Sequence, residues 1–373
     1  ATIIHDGLIE QPDQWTLIVR TMLPAHRLVV QDPSYTELYV SRGTAEVGMV
    51  TTRRTRTLAW LGAIPHWFYL PELRIDREPW VAVIVWTSTL GCLIAVTGLL
   101  LGLLQFRWRR NGQRRIPYVG LMRWHYLTGA IFGVATLTWI FSGLLSVQPF
   151  AWMTATGLSV SPNALTAEPL TLANYPPLDA AALNRATDDQ MIKEIEFLSI
   201  GDAAFYDVRL GGARDPAAQP PLLLDALTMV PRSVNVKKLV ERLRNGALTG
   251  AAVVDVRVQE VYDSYYYGRG QERPPLPIVR VRFDDPMETW AYVDPATEKV
   301  ARTVHRYERL ERWLFNGLHS LDFRFWYERR PLWDVGMLLL MAGGLASSGL
   351  GLWIGAGRVR RAVGRWRRTG QIP

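Results

Sequence analysis

Six histidines and one cysteine hold most of the coordination chemistry open to this 373-residue chain. The cysteine, Cys92, stands in a long apolar run, so neither a thiolate zinc or iron–sulfur site nor an intrachain disulfide is available. Metal chemistry then falls to histidine. Imidazole binds iron well, and paired histidines from different helices can grip a haem inside a helical bundle. Three of the six occupy comparable boundary positions beside apolar runs: His66 in Ile64-Pro65-His66-Trp67, His125 in Arg123-Trp124-His125-Tyr126, and His319 in Leu318-His319-Ser320. Gly98 of a Thr-Gly-Leu triplet lies 32 positions after His66, and Gly349 of a Ser-Gly-Leu triplet lies 30 after His319. Both runs end in basic segments, Phe106-Arg107-Trp108-Arg109-Arg110 and Gly357-Arg358-Val359-Arg360-Arg361. This is an internal repeat. One such histidine alone would more simply anchor its helix or satisfy a carbonyl, whereas the shared offset favours ligands. His5, His26 and His305 share no such pattern and read as ordinary domain residues.

The elements that must position these histidines are apolar and long. No charge occurs in Pro79–Phe106, Tyr126–Val147 or Val335–Gly357, and each run meets the roughly 20 residues a bilayer core requires. Tryptophan and tyrosine bracket them, as expected for rings settling at headgroup level: Trp80, Trp86, Trp108, Tyr118, Trp124, Trp139, Trp333 and Trp353. Small residues line one side of each: Gly91, Ala95, Gly98 and Gly102; Gly129, Gly133 and Thr136; Gly344, Ser348, Gly351 and Gly355. Close helix packing and porphyrin clearance would both use such stripes.

The formal charge of +8 raises the possibility of nucleic-acid binding. Its distribution removes that possibility. Arg107, Arg109, Arg110, Arg114, Arg115 and Arg123 lie between the first two spans, and Arg358, Arg360, Arg361, Arg365, Arg367 and Arg368 follow the third, with no acidic residue in either stretch. Short basic loops beside apolar spans belong on the cytoplasmic side, which sends residues 1–78 and 148–331 outward. With that orientation residue 1 lies outside the cytoplasm, and the second repeat unit opens with an outward-running span that the first does not show. A fourth helix upstream of Ala1, carrying its own histidine near the cytoplasmic end, is the expectation.

Along the chain the expected order is a small mixed region at 1–55, an interfacial helical segment at 56–78, and a span at 79–106. A basic loop at 107–118 and a span at 119–147 follow. An α+β domain occupies 148–305, then an interfacial helical segment at 306–331, a span at 332–357 and a basic tail at 358–373. Within the outward regions, Pro12–Leu23, Leu178–Ile195, Lys238–Asn245 and Arg306–Phe323 are expected to be helical. Strands are expected at Arg27–Gln31, Glu37–Ser41, Glu46–Thr51, Glu196–Leu210, Pro221–Thr228, Val253–Tyr262, Ile278–Phe283 and Thr289–Val293. The tyrosine run of Tyr262 and Tyr265–Tyr267 reads as sheet core rather than as a ligand platform. No glycine-rich loop of the nucleotide-binding kind is present.

Several of these segments resemble one family. Gly62-Ala63-Ile64-Pro65-His66-Trp67, Arg123-Trp124-His125-Tyr126-Leu127-Thr128-Gly129, Tyr292-Val293-Asp294-Pro295, Asn316-Gly317-Leu318-His319-Ser320-Leu321-Asp322-Phe323 and Arg330-Pro331-Leu332-Trp333-Asp334 are similar, in order and over nearly the whole chain, to the PepSY-associated transmembrane proteins. The resemblance implies a bacterial inner-membrane α-helical bundle with periplasmic α+β PepSY-like regions at 1–55 and 148–305. Some members of the family resemble ferric-siderophore reductases that carry two b-type haems, which implies an electron path across the membrane to a periplasmic acceptor such as a ferric siderophore. His66, His125 and His319 match the family's histidine motifs. On this reading His66 and His319 ligate an outward haem. His125 takes one side of an inward haem whose other ligand comes from outside this sequence. Trp67, Trp124 and Phe323 are the candidates for porphyrin edges, and Arg123 and Arg324 for the propionates. The departure from the family is the unseen first span. Two other readings stand beside this one: a haem-free scaffold or regulator whose outward regions bind a protein partner, and an electron-transfer subunit of a larger complex that supplies the absent helix.

Overall fold

The computed structural model describes residues 2–106, 115–154, 156–165, 171–201, 203–211, 222–248, 250–268 and 273–369. Two compact units divide the chain: Ala1–Pro149 with Asp334–Pro373, and Phe150–Trp333.

The first unit opens with an antiparallel meander of β1 (Ile3–Ile9), β2 (Ala25–Val30), β3 (Glu37–Ser41) and β4 (Val47–Thr51), neighbours in that order. The sequence hides β1 because His5, Asp6 and Gly7 interrupt its alternation, and its register with β2 shifts at that point. The helix expected over Pro12–Leu23 does not form; only Arg20–Met22 makes a 3₁₀ turn. One Asp13 carboxylate oxygen accepts from the amides of Trp15 and Thr16 and from the Thr16 hydroxyl, and this local turn competes with helix.

After β4 come three short helices rather than one interfacial segment: α1 (Arg53–Leu61), α2 (Ala63–Trp67) and α3 (Pro71–Arg74). Thr52 and Thr55 form a capping box at the start of α1, Gly62 breaks it, and Phe68 takes a left-handed conformation at the end of α2. Two long apolar helices follow, α4 (Arg77–Gln105) and α5 (Gly120–Ser146).

In the second unit, Asp179 caps α6 (Ala180–Ala186) by accepting from the amides of Ala181 and Ala182. The helix expected to continue to Ile195 stops there, because Asp188 and Asp189 turn the chain through positive φ. The single strand expected over Glu196–Leu210 belongs to a hairpin of β5 (Ile192–Ile200) and β6 (Ala203–Leu210), turned at Gly201 with φ +63. β7 (Leu222–Asp225) completes this three-stranded sheet. Then α7 (Val236–Arg244) precedes a second meander, β8 (Val253–Gln259), β9 (Ile278–Phe283), β10 (Trp290–Val293) and β11 (Val300–Val304). Leu239 and Leu243 of α7 pack into a core with Val279, Val281, Phe283, Ala291, Val293 and Val300. On the opposite face Tyr266 stacks on Tyr292 at 4.9 Å, so this part of the tyrosine run is core. The helix expected over Arg306–Phe323 is α8 (Arg306–Glu311), a π-helical turn at Arg312–Gly317 and α9 (Leu318–Ser320); α10 (Arg324–Tyr327) follows.

The last element is α11 (Leu332–Thr369), which carries the arginines after 357 as a continuation of the helix. At ~1.5 Å per residue it is ~57 Å long, well beyond a hydrocarbon core of ~30 Å. α4, α5 and α11 are each long and apolar enough to cross a membrane. Trp86, Leu93, Leu104, Ile131, Leu345 and Leu352 are more than half exposed on them, a surface suited to lipid. Part of the small-residue stripe is spent on packing. A Cβ at Gly91 would lie 3.1 Å from Ile140, and one at Gly133 2.8 Å from Leu99. One at Gly344 would lie 3.3 Å from the Thr136 hydroxyl. Gly98 and Gly355 have open space instead. Of the basic loop, Arg107, Arg109, Arg110 and Arg114 lie outside the described residues.

The internal repeat extends well beyond the histidines. His319 lies 253 residues after His66, and the same offset carries β2, β3 and β4 onto the starts of β9, β10 and β11, and α1 onto α8. The pairing Glu37↔Thr51 becomes Trp290↔Val304, and the bulge after Tyr39 recurs after Tyr292. Tyr35, Ala45 and Phe68 have positive φ, as do Glu288, Glu298 and Leu321. In both copies an aspartate folds the β2–β3 or β9–β10 turn: Asp32 accepts from the amide and hydroxyl of Thr36, Asp285 from those of Thr289. In both, a fully buried tyrosine hydroxyl donates to a carboxylate, Tyr39 to Glu37 and Tyr292 to Asp263, each at 2.9 Å. This register corrects the repeat read from the glycine triplets. Gly98-Leu99 corresponds to Gly351-Leu352, 32 positions after His319, and not to Gly349-Leu350.

Candidate functional site

Each repeat builds its boundary histidine into the same hairpin. α2 ends one residue after His66, Phe68 turns left-handed with φ 51 and ψ 40, and Leu70 returns to extended backbone before the four-residue α3. α9 ends one residue after His319, Leu321 turns with φ 48 and ψ 39, and Phe323 is extended before the four-residue α10. Neither turn residue is glycine. A left-handed leucine or phenylalanine is held only where surrounding contacts over-determine it. The contacts are again shared: the amide of Leu70 donates to the Phe68 carbonyl and that of Phe323 to the Leu321 carbonyl, at 2.9 and 2.8 Å. Fourteen residues after each histidine a tryptophan at the start of the long helix donates its indole N–H to the carbonyl of the residue following that histidine. Trp80 reaches Trp67 at 2.9 Å and Trp333 reaches Ser320 at 3.1 Å. A guanidinium covers each indole, Arg74 at 4.3 Å and Arg330 at 4.4 Å from the ring centres.

The approach to the histidine differs between the copies. Before His66 the helix breaks at Gly62; before His319 it widens into the π turn Arg312–Gly317, a distortion that often marks a functional site. Arg312 is buried, and its guanidinium donates to the carbonyls of Ser264 and Asp322 and lies 3.5 Å from the Asp322 carboxylate. Tyr267 donates its hydroxyl to the same carboxylate at 2.8 Å. Asp322 sits next to the left-handed Leu321, so the pair ties the His319 turn to the β8–β9 connection. In the first copy the connection between β1 and β2 grips the matching position, as Gln14 donates its amide to the Tyr69 carbonyl at 2.7 Å. The imidazole of His319 stacks on Phe315 at 5.0 Å between ring centres. His66 is on the exposed side of α2, with Ile64 as the buried anchor of that turn.

His125 lies in the first turns of α5, against α11 within the first unit. Its Nδ1 is 3.1 Å from the Ser347 carbonyl, and a Cβ added at Gly351 would come within 3.0 Å of its Cε1. The Nδ1 proton is thereby assigned to the carbonyl, leaving the lone pair of Nε2 to ligate. Metal-binding histidines are oriented in this way. Among the described residues no group of three or more His, Cys, Asp or Glu converges to hold a metal ion. A haem would ask less of the protein than such a cluster, and a single imidazole whose Nδ1 is committed to a carbonyl, as at His125, would fit that donor chemistry.

The other sequence candidates are distributed around these three. Trp67 and Trp124 are about half exposed or more, and Trp67 meets Tyr69 edge-on. Phe323 stacks near-parallel with Trp313 and Phe325. Arg123 is exposed, while Arg324 is ion-paired with Glu328 at 2.9 Å. Ser347, Arg312, Tyr267 and the tryptophan-to-carbonyl bonds have no sequence signal of their own. The offset of 253 would have pointed to the tryptophan pair.

Comparison of the chain with known proteins matches no family, no curated protein and no solved structure.

Proposed function

We propose that this chain is the haem-binding core of a bacterial inner-membrane oxidoreductase, passing electrons from a cytoplasmic or membrane donor to a periplasmic acceptor of the ferric-siderophore class. The observation that carries the reading is the pair of matching histidine hairpins, supported by the Nδ1 bond that leaves His125 Nε2 as a ligand. Two copies of one turn, each holding a bulky residue in left-handed backbone to present one imidazole beside a long apolar helix, exceed what anchoring at an interface requires. The arginine-rich end of α11 and the basic residues before α5 support a cytoplasmic assignment for those ends.

When bound, b-type haem supplies a one-electron iron couple in a low-dielectric setting. His66 and His319 are the residues for an outward haem and His125 for an inward one. The protein's part is to fix imidazole orientation through the hairpins and the Ser347 carbonyl. Delivery of one electron to a siderophore's Fe(III) yields Fe(II), a softer ion that hard oxygen donors hold less firmly. Haem content per chain tests the assignment. Replacement of His319 by alanine should remove about half of the haem extracted with the purified protein, and replacement of His305 should remove none. Unchanged content in His319→Ala rejects the ligand.

A further inference from the structure

In the first meander β1 pairs with β2, and its bulge re-aims one histidine toward another. His5 stands opposite Leu28 and Leu8 opposite His26, so β1 carries one residue more than β2 between the two pairs. Nε2 of His5 lies 3.0 Å from Nδ1 of His26, with ring centres 5.1 Å apart and planes at 54°. The second meander pairs Val256 with Val281 and Val258 with Val279, which puts Val256 and Val279 where the two imidazoles stand in the first. Both valines are buried core. His5 is exposed and His26 half-buried. Two packing positions of one copy have thus become two touching imidazoles, open to solvent, in the other.

We infer that His5 and His26 form a two-point chelate for copper(II), through Nε2 of the first and Nδ1 of the second. For metal–nitrogen bonds of about 2.0 Å, two nitrogens on one ion stand about 2.8 Å apart at a right angle and about 3.3 Å apart at the tetrahedral angle. The separation of 3.0 Å lies between these limits. Without metal one imidazole donates its N–H and the other accepts. On binding, the donor ring carries its proton on its other nitrogen instead, and both rings turn about χ2, a broad torsion for histidine, until their lone pairs meet at the ion. Zinc sites ordinarily take three or four protein ligands. Copper(II) heads the divalent affinity order, and its tetragonal geometry accepts two cis imidazoles with water completing the plane. Asp6, the residue inserted at the bulge, is ion-paired with Arg27 and stays outside the ligand set. Neither histidine is among the three proposed for haem, so the two sites are tested apart.

Equilibrium dialysis of the purified, tag-free chain against copper(II), followed by amide exchange, tests this. The expected result is a first copper bound at least ~10-fold more tightly than in His5→Gln or in His26→Gln, because the second imidazole acts as an intramolecular ligand. His305→Gln should bind as the parent does. With free copper(II) at about 100 times the dissociation constant, amides exposed only when β1 leaves β2 should exchange about 100-fold more slowly, and those of β9 and β10 at their former rate. Equal binding by the parent and either of the two variants would leave only adventitious copper and overturn the chelate, as would protection spread evenly over both sheets.

Discussion

At the residue scale, which atom of the His125 imidazole is committed decides what the ring can ligate. His125 has Nδ1 at 3.1 Å from the Ser347 carbonyl and its ring edge against Gly351, where an added Cβ would come within 3.0 Å of Cε1. Gly351→Val should therefore displace the ring and lower haem content, while Gly355→Val, whose added Cβ would meet nothing within 4 Å, should leave it unchanged. Extracted haem per chain separates the two. Equal losses would place the effect in helix packing rather than at the imidazole. A second residue-scale prediction concerns acid. Burial opposes the charge on Asp285, but hydrogen bonds from the Thr289 amide and hydroxyl and from the Met287 amide outweigh it and hold the carboxyl below its usual range. A group depressed in the folded state stabilises it above the unfolded pKa of about 3.9, and loses that contribution as pH falls through the folded value. Asp285→Asn should thus speed amide exchange in the β9–β10 hairpin at pH 7, and the difference from the parent should vanish once the parent carboxyl is itself protonated. The sequence displayed His66, His125 and His319 because imidazoles beside apolar runs are rare and conspicuous. It concealed Ser347, since a backbone carbonyl acceptor has no side-chain signature.

At the element scale the unit is the hairpin between a short helix and a long one, pinned by one indole. Each tryptophan-to-carbonyl bond is worth about 1 kcal/mol net, so Trp80→Phe and Trp333→Phe should destabilise their hairpins by similar amounts, read as protease sensitivity of the two loops. A large effect at one site only would mean that the copies are not equivalent in function. The second hairpin has a further lock in Arg312 and Asp322. Arg312→Met leaves a buried carboxylate without its cation and should cost about 3 kcal/mol, whereas Arg312→Met with Asp322→Leu should recover much of it. Thermal unfolding of the purified protein in detergent compares the three. What the sequence made legible here was uneven. β2, β3, β4, β9 and β10 alternate and are bounded by turn residues, so they were readable. β1 is masked by its bulge, and Pro12–Leu23 reads as helix although the Asp13 side chain supplies hydrogen bonds that helical spacing cannot announce. The π turn before His319 has the same apolar periodicity as a helix to within a residue, and only the backbone distinguishes them.

At the scale of the whole molecule three helices among the described residues have the length and apolarity to cross a bilayer, and arginine distribution gives the proposed orientation. In a Cys92→Ala background, a cysteine at Thr44 or Thr297 should react with an impermeant maleimide from the periplasmic side. One at Thr369, past the last arginines of α11, should react only after the inner membrane is opened. The reverse pattern would invert the proposed topology and with it the proposed direction of electron flow. The repeat was legible as two histidines and two basic tails. Its true register is carried by the strands, turns and positive-φ residues, because the triplets at Gly98 and Gly349 are locally more alike than the pair at Gly98 and Gly351. Whether the duplicated scaffold holds haem, as proposed, is read from the visible spectrum of the purified protein. The expected result is a Soret band and an α band that sharpens with dithionite, both weakened by His66→Ala, His125→Ala or His319→Ala. A colourless protein, correctly inserted and purified from haem-replete cells, would contradict it.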